Sequence, residues 1–274
     1  MNNEHRADYR QLEAAPTLTR IRRLQDDRGY RDQHRLFFVE GVRNFVTAID
    51  HGFPIETLLY SEKLLTVPLA RKFVRQLKRA GVPFARVSPE VFRSVSRTER
   101  ASGIAAILHQ RIKTLEQVRA DQFPCWTVLS QVRSPGNLGS LLRTSAAIGA
   151  GGLILLGQQI DPYEPGLVRA TMGALFKQTL VRTNVERLRR WIQAHRPAVI
   201  GASPDGVIEY DRVRYRRPTV LLLGHERSGL TDEQRSLCEQ IVRIPMVGDT
   251  DSLNLAVAGS LLMYAVFRST GRGS

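Results

Sequence analysis

The sequence predicts an α/β protein with two domains: a small N-terminal α/β domain and a C-terminal domain whose mostly parallel sheet has helices on both faces. Its 274 residues suffice for two domains. Its 42% hydrophobic content supports buried cores. Short apolar runs also alternate with helical periods twice along the chain, before and after a polar segment at residues 111–124. Strands spaced by helices favour parallel pairing in the second of these regions.

Residues 1–110 are expected to form the first domain. Its residues 1–35 carry many arginines and few apolar side chains, which indicates a basic arm or a surface helix. Apolar residues at 42, 45, 46 and 49 then follow a helical period that ends near Gly52. Further strand and helix patterns follow in the order IETLLYS, ARKFVRQLKRAG, VPFARVS and SGIAAILHQ.

Residues 111–124 are expected to form a linker, and residues 125–274 the second domain. Its buried parallel strands are predicted at WTVLS, LILL, AVIGA, VLLLG and IVRIPM. The predicted helices cover about 137–148, 165–176, 184–195, 231–239 and 252–268. Ligands of open α/β sheets bind beyond the carboxyl ends of the strands. The polar segments after WTVLS, VLLLG and IVRIP therefore predict one composite site.

The charge of the chain indicates a polyanionic partner. The formal net charge is +14 and the isoelectric point is about 10.6. Lysine and arginine outnumber aspartate and glutamate by 20 to 12 in residues 1–111 and by 20 to 14 in residues 112–274. Nucleic acid is the expected partner and an anionic membrane surface the alternative. No long amphipathic basic helix supports the membrane alternative.

Several other classes of protein are disfavoured. No apolar run reaches the roughly 18 residues of a membrane span, and the N-terminus has no apolar signal core, so a cytoplasmic protein is expected. Cys125 and Cys238 belong to no metal-binding pattern, so no metal site is expected. No GxGxxG turn follows the first strand of the second domain, and no P-loop is present.

The three polar segments resemble the motifs of one family. They are PGNLGSLLRTSAAIG (135–149), LGHERSGL (223–230) and IPMVGDTDSLNLAVA (244–258). In this order, they resemble the motifs of the SpoU (TrmH) branch of the SPOUT RNA methyltransferases. FFVEGVRNFVTAI and SGIAAIL are similar to the ribosomal-protein-like substrate-binding domain that often precedes this catalytic domain.

The resemblance implies an S-adenosylmethionine-dependent RNA 2′-O-ribose methyltransferase with a deep trefoil knot in its C-terminal domain, acting as a homodimer. Ribosomal RNA is the preferred substrate. Transfer RNA, or a non-catalytic RNA-binding role, is the alternative. By resemblance, S-adenosylmethionine is bound by Leu223, Gly224, Ile244, Met246 and Leu253.

The expected catalytic residues are Asn137, Arg143, Glu226, Ser252 and Asn254. The family assigns the arginine matched by Arg143 to the base that acts on the ribose hydroxyl. A guanidinium with a pKa above roughly 12 is a poor base, so binding of the RNA phosphate is the safer interpretation. Asn137 and Ser252 are each expected as possible helix N-caps. Asn254, expected inside the first turn, would break helix propensity there, which hints at a role in the site.

Two further features leave their interpretation open. The stretch RVRYRRP (212–218) sets Tyr215 among arginines, which suits phosphate contact and base stacking, or else a solvated loop. Arg169 and Thr171, in VRATMGALF, could contact RNA or a neighbouring subunit, or belong to an interface helix. No histidine is assigned a role, and this includes His225.

Overall fold

The computed structural model describes residues 10–132, 134–249 and 252–270. They form two compact units. Of the described residues, the first unit contains those up to Arg111 together with Tyr163–Phe176, and the second contains those from Ile112 to Pro162 and from Lys177 onward. Residues 1–9 of the expected basic arm lie outside the described residues.

Helices and strands alternate along most of the chain. The strands are β1 (Leu36–Glu40), β2 (Ile55–Tyr60), β3 (Phe84–Arg86), β4 (Ile104–His109), β5 (Cys125–Leu129), β6 (Gly152–Leu156), β7 (Thr179–Thr183), β8 (Ala198–Ala202), β9 (Ile208–Glu209), β10 (Thr219–Leu223) and β11 (Gln240–Arg243). The helices are α1 (Ala14–Asp26), α2 (Arg28–His34), α3 (Val42–Asp50), α4 (Pro68–Arg79), α5 (Pro89–Arg93), α6 (Pro135–Ala147), α7 (Pro165–Ala170), α8 (Ala174–Lys177), α9 (Val185–His195), α10 (Asp232–Arg235) and α11 (Leu255–Ser269).

The first unit contains a four-stranded sheet in the order β1-β4-β2-β3. β4 pairs antiparallel with both β1 and β2, whereas β2 and β3 are parallel. The arginine-rich segment expected as an arm or a helix forms α1 and α2. Leu18, Ile21 and Leu24 of α1 are buried in the core of this unit. Three apolar residues, each three positions after the last, thus suffice to dock a helix that is otherwise rich in arginine.

The second unit contains a seven-stranded sheet in the order β7-β6-β5-β10-β8-β11-β9, with parallel pairing between the neighbouring strands. This confirms the expected mostly parallel sheet. The short strands β7 and β9 were not predicted from the sequence. β5, β10 and β8 lie in the middle of the sheet, and all their residues except the last of β8 are buried.

Residues 111–124, expected as a linker, largely belong to this second unit. They form short 3-10 turns at Leu115–Gln117 and Ala120–Gln122. Leu115, Val118 and Ala120 are buried in its core. Indole N–H groups hold the segment in place: that of Trp126 donates to the Ala120 carbonyl at 3.3 Å and that of Trp191 to the Val118 carbonyl at 3.1 Å.

The segment Tyr163–Phe176 packs within the first unit, although it follows β6 in sequence. The Tyr163 ring lies 4.4 Å from that of Phe37, and the Phe176 ring lies 5.1 Å from that of Phe53, measured between centroids. One helix was expected over 165–176. Two short helices form because the backbone adopts positive φ at Met172 (53°) and Gly173 (90°).

None of the helices in the described parts of the chain is long and apolar enough to cross a membrane. The trefoil knot implied by the resemblance stays a prediction.

Candidate active site

A cavity of about 370 Å³ lies beyond the carboxyl ends of β10, β8 and β11. Since these parallel strands are neighbours, the segments that follow them meet at one edge of the sheet. All the residues expected to bind the cofactor line this cavity, and Glu226 and Ser252 line it too. Its sequence-predicted lining is Leu223, Gly224, Glu226, Ile244, Met246, Ser252 and Leu253.

The loop after β10 is folded tightly by its own backbone. His225 and Gly229 exchange two hydrogen bonds of 2.8 and 2.9 Å, and Gly229 has a φ of 69°. A Cβ atom at Gly224 would lie 2.2 Å from the carbonyl carbon of Gly229, so no larger residue fits without moving this turn. The glycine is required for this close backbone approach beside the cavity.

His225 has a structural role in this loop that the sequence did not indicate. Its Nδ1 accepts hydrogen bonds from the backbone N–H groups of Arg227, at 3.0 Å, and Ser228, at 3.2 Å. These bonds close the turn around Glu226. The spacing was a possible signal, because a side-chain acceptor two or three residues before unpaired N–H groups is typical of a capped turn.

A chain of side-chain hydrogen bonds connects the three motifs. Asn137, in α6 after β5, donates through Nδ2 to Oε1 of Glu226 at 2.7 Å. Its Oδ1 accepts from Nδ2 of Asn254 at 2.9 Å. Both polar ends of the Asn137 amide are thereby engaged, which fixes its orientation. Among the described residues, none donates a hydrogen bond to Oε2 of Glu226.

The helix caps differ from the two expected. Ser134, not Asn137, caps α6, and Asn137 lies in its first turn, with its N–H donating to the Ser134 hydroxyl at 3.4 Å. Asn254, not Ser252, caps α11 by accepting from the N–H groups of Ala256, at 2.8 Å, and Val257, at 3.3 Å. The argument that Asn254 breaks helix propensity is therefore wrong, because an N-cap is a favoured position for asparagine.

The remaining candidates lie at less enclosed positions. Ser252 is exposed at the edge of the cavity. Arg143 is exposed on α6 and does not line the cavity. The structure therefore brings Asn137, Glu226 and Asn254 into direct contact and does not bring Arg143 to them.

The end of β8 adds a polar wall that the sequence reasoning missed. Ala202, Ser203 and Pro204 line the cavity, as does Arg235 of α10. Arg235 donates to the Ser203 hydroxyl at 2.9 Å and to Asp205 at 3.0 Å. This hydrogen bond from Arg235 is the main cause that lowers the pKa of Asp205. AVIGA was predicted as a strand, so the residues after it could have been predicted to line the site by the reasoning that was applied to WTVLS, VLLLG and IVRIP.

Tyr215 does not support the base-stacking interpretation of RVRYRRP. Its side chain is buried, and its hydroxyl donates to the Tyr210 carbonyl at 2.7 Å. Arg216 pairs with Glu239 at 2.7 Å, and Arg212 pairs with Glu209 at 3.0 Å. The Tyr215 ring is therefore buried within the protein and does not form a surface on which a base could stack.

A second depression, of about 560 Å³, lies between α6 and α11. Asn137 and Asn254 form part of its lining, so it adjoins the hydrogen-bonded chain described above. Its apolar wall consists of Val257, Leu261 and Tyr264, which are 50%, 37% and 47% exposed. These positions repeat every three or four residues, so they form one apolar stripe along α11.

The fold and the cavity together define an α/β protein with a candidate ligand-binding site at the carboxyl edge of a parallel sheet, where Asn137 holds the carboxylate of Glu226 and Asn254 holds Asn137. Residues 125–264 match the SpoU rRNA methylase family, and residues 15–106 match the MRM3-like substrate binding domain.

Several relatives are similar to this chain over nearly its whole length. A 23S rRNA (uridine(2479)-2′-O)-methyltransferase of Streptomyces viridochromogenes is 31% identical over 252 residues, 89% of this chain and 87% of that protein. The AdoMet-bound rRNA methyltransferase of Sinorhizobium meliloti superposes with a TM-score of 0.85 at 32% identity, covering 94% of this chain and 97% of the other. The SpoU methyltransferase AviRb of S. viridochromogenes, in complex with AdoMet, has a TM-score of 0.82 at 30% identity, with 94% and 99% covered.

The chain belongs to the SpoU rRNA methylase family. The resemblance noted in its three motifs is thereby confirmed, as is the expectation of a methyltransferase.

Proposed function

We propose that this protein transfers a methyl group from S-adenosylmethionine to a ribose 2′-hydroxyl of ribosomal RNA, in the cytoplasm. The observation that carries the proposal is the contact of Asn137, Glu226 and Asn254 beside the cavity of the second unit. Three motifs far apart in sequence converge there. The relatives named as 23S rRNA 2′-O-methyltransferases support ribosomal RNA over transfer RNA.

The cavity fits the proposed methyl donor. Its volume of about 370 Å³ lies within the range of roughly 300–1,000 Å³ typical of small-molecule sites. Leu223, Ile244 and Met246 provide apolar walls of the kind that hold a heteroaromatic ring. Arg235 and Ser203 provide polar groups on another wall. S-adenosylmethionine supplies a methyl group on a sulfonium, which is a good leaving group and requires no metal.

The task of the protein is then to align the hydroxyl with the methyl donor and to keep water out. Oε2 of Glu226, which no described residue engages, can accept a hydrogen bond from the incoming RNA or from the donor. Asn137 holds that carboxylate in place through a bond of 2.7 Å, and Asn254 holds Asn137. Glu226 is thus the group expected to touch the ligands, and Asn137 and Asn254 position it.

Arg143 is proposed to bind the phosphate beside the target ribose. Its exposed position on α6 leaves the guanidinium accessible to RNA. Arg143→Ala should abolish methyl transfer and leave the affinity for S-adenosylmethionine, measured by calorimetry, near that of the wild type. Unchanged turnover would remove Arg143 from the site.

We also propose that the apolar stripe of α11 is covered by a second copy of the chain. A helix with apolar residues on its exposed side as well as its buried side is typical of an interface. Because Asn137 and Asn254 line the same depression, the dimer interface would adjoin the active site. Leu261→Asp should produce monomers in sedimentation analysis. A wild-type protein that is monomeric at micromolar concentration would refute the dimer.

Methyl transfer can be tested with purified protein, tritiated S-adenosylmethionine and either protein-free ribosomal RNA or transfer RNA. Incorporation into ribosomal RNA at positions resistant to alkaline hydrolysis is the expected result. Glu226→Gln should lower the rate at least about tenfold, because the carboxylate charge is lost. Glu116→Gln, at an exposed carboxylate on a 3-10 turn, is the matched control. Incorporation into transfer RNA alone, or into neither RNA, would contradict the proposal.

A further inference from the structure

The positive charge of the N-terminal region is concentrated in one segment. Residues 63–89 contain seven lysines and arginines and no aspartate or glutamate. Residues 1–111 contain 20 basic and 12 acidic residues, so the rest of this region holds 13 basic against 12 acidic. Outside residues 63–89, the region is therefore almost neutral. This one segment also provides half of the net charge of +14 of the chain.

Within the segment, three cations form an exposed face of α4. We call Lys72, Arg75 and Arg79 the basic face. Their spacing of three and four residues places them on one side of the helix, opposite the buried Ala70 and Val74. Along the axis they extend over about 10 Å, at roughly 1.5 Å per residue.

The basic face lacks an acidic counterpart within the described parts of the chain, whereas two other cations of the segment have a partner. Arg86 pairs with Glu62 at 3.4 Å, and the ammonium of Lys78 lies 4.3 Å from the Phe84 ring centroid. Among the described residues, no aspartate or glutamate forms an ion pair with any member of the basic face. Like charges three and four residues apart destabilise a helix. An arrangement that is unfavourable for the free protein indicates a partner that neutralises it.

The arginines of α1 and α2, which lie in the segment predicted as a basic arm or a surface helix, are engaged within the protein. Arg20 pairs with Glu56. Arg22 donates to the Ser94 hydroxyl at 3.3 Å, and Arg28 pairs with Asp32 at 3.3 Å. The guanidinium of Arg23 lies 3.9 Å from the centroid of the Tyr30 ring. Each of these side chains has a partner within the protein, and for Arg20 and Arg28 that partner is a carboxylate.

We infer that the basic face of α4 binds the phosphate backbone of the substrate RNA. Lysine and arginine on one exposed face, with no aromatic side chain on it, suit phosphate contact without base readout. The face would add affinity to the RNA that the catalytic site modifies. The inference rests on the proposed function, because it takes RNA as the substrate.

The test compares two variants of the full chain that remove the same charge. The first, Lys72→Gln/Arg75→Gln/Arg79→Gln, neutralises the basic face. The control, Arg22→Gln/Arg23→Gln/Arg28→Gln, neutralises the engaged arginines of α1 and α2. Affinity for a labelled 20-base-pair RNA duplex is measured from 50 to 300 mM KCl. Methyl transfer to protein-free ribosomal RNA is measured in parallel.

The basic-face variant should lose affinity on the order of tenfold or more at low salt. Its plot of log K against log salt should become shallower by about 2 to 3 units, since three phosphate contacts are lost. KM for RNA should rise more than kcat falls. Its melting temperature should not decrease, because like-charge repulsion is removed. The control should change the slope by less than about 1 unit.

Three results would overturn the inference. The basic-face variant could keep the RNA affinity and the salt slope of the wild type. Alternatively, the control could lose as much RNA affinity as the basic-face variant, which would indicate that RNA binding depends on charge spread over the whole surface. The variant could instead lose binding to phosphatidylglycerol vesicles while its RNA affinity stays unchanged, which would indicate a membrane surface. A wild-type protein that methylates no RNA would refute the proposed function itself, and this outcome is distinguishable because it requires no variant.

Discussion

Replacement of Asn254 by aspartate should separate its two hydrogen-bonding tasks. Oδ1 of Asn254 caps α11 by accepting from Ala256 and Val257, whereas Nδ2 donates to Asn137. Aspartate retains the cap, and its negative charge is favourable at a helix N-terminus. It cannot donate, so the Asn137 amide loses one of the two bonds that fix its orientation toward Glu226.

The expected magnitudes follow from these contacts. Asn254→Ala loses the cap, which contributes about 1 kcal/mol, and an exposed hydrogen bond of about 0.5–1 kcal/mol. Its free energy of unfolding should fall by about 1–2 kcal/mol. Asn254→Asp should change that energy by less than about 0.5 kcal/mol, because the gain at the helix dipole offsets the lost bond. Both variants should lower kcat at least about tenfold, equivalent to roughly 1.4 kcal/mol in the barrier.

Urea unfolding followed by circular dichroism gives the stability. Initial rates of tritium transfer at saturating cofactor and RNA give kcat. Asn184→Asp is the matched control, because Asn184 caps α9 by accepting from the Arg187 N–H at 2.8 Å and does not line the cavity. It should change neither quantity. Wild-type turnover in the stable Asn254→Asp protein would refute the positioning role of Asn254.

Three further predictions concern the cavity loop and the thiols. Gly224→Ala should lower cofactor affinity at least about tenfold in calorimetry, because its Cβ displaces the Gly229 backbone; unchanged affinity would show that the turn can move. His225→Ala should weaken cofactor binding as well, since two N–H groups lose their acceptor, and full affinity would contradict this. Burial raises the pKa of Cys125 to about 12 and that of Cys238 to about 11. Neither thiol should react with Ellman's reagent at pH 8 unless the protein is unfolded. Because the unfolded chain releases these protons near pH 9, the free energy of unfolding should fall as pH rises from about 9 to 12.

The sequence was sufficient to predict where several strands of the second unit end, and therefore which residues after those strands line much of the cavity. VLLLG is a continuous apolar run of the kind that parallel central strands require, whereas IVRIPM is an apolar run interrupted by Arg243. The residues that follow both strands line the cavity. β7 and β9 were not predictable in the same way. β7 (TLVRT) is an edge strand that carries an arginine, and β9 has only two residues, so neither has a clear apolar period.

The precise partners in the site required three-dimensional information. The sequence placed Asn137 and Asn254 near helix starts, but which of two polar residues two or three positions apart caps a helix depends on where the loop ends. The bond between Asn137 and Asn254 joins residues 117 positions apart. No role was predicted for His225 from the sequence, because its ring accepts hydrogen bonds from backbone N–H groups of its own loop. The polar wall of Arg235 and Ser203 forms only when α10 packs beside β8.

The chain enters the first unit twice, once from its N-terminal residues and once through the insertion Tyr163–Phe176. A fragment that begins at residue 112 would keep Tyr163 and Phe176 but lack the rings of Phe37 and Phe53 that cover them. Such a fragment would expose an aromatic loop to solvent and tend to aggregate. Any fragment that contains the second unit alone must therefore have these fourteen residues removed or their apolar side chains replaced by polar ones. The first unit, if transferred to another protein, would need the same fourteen residues supplied with it.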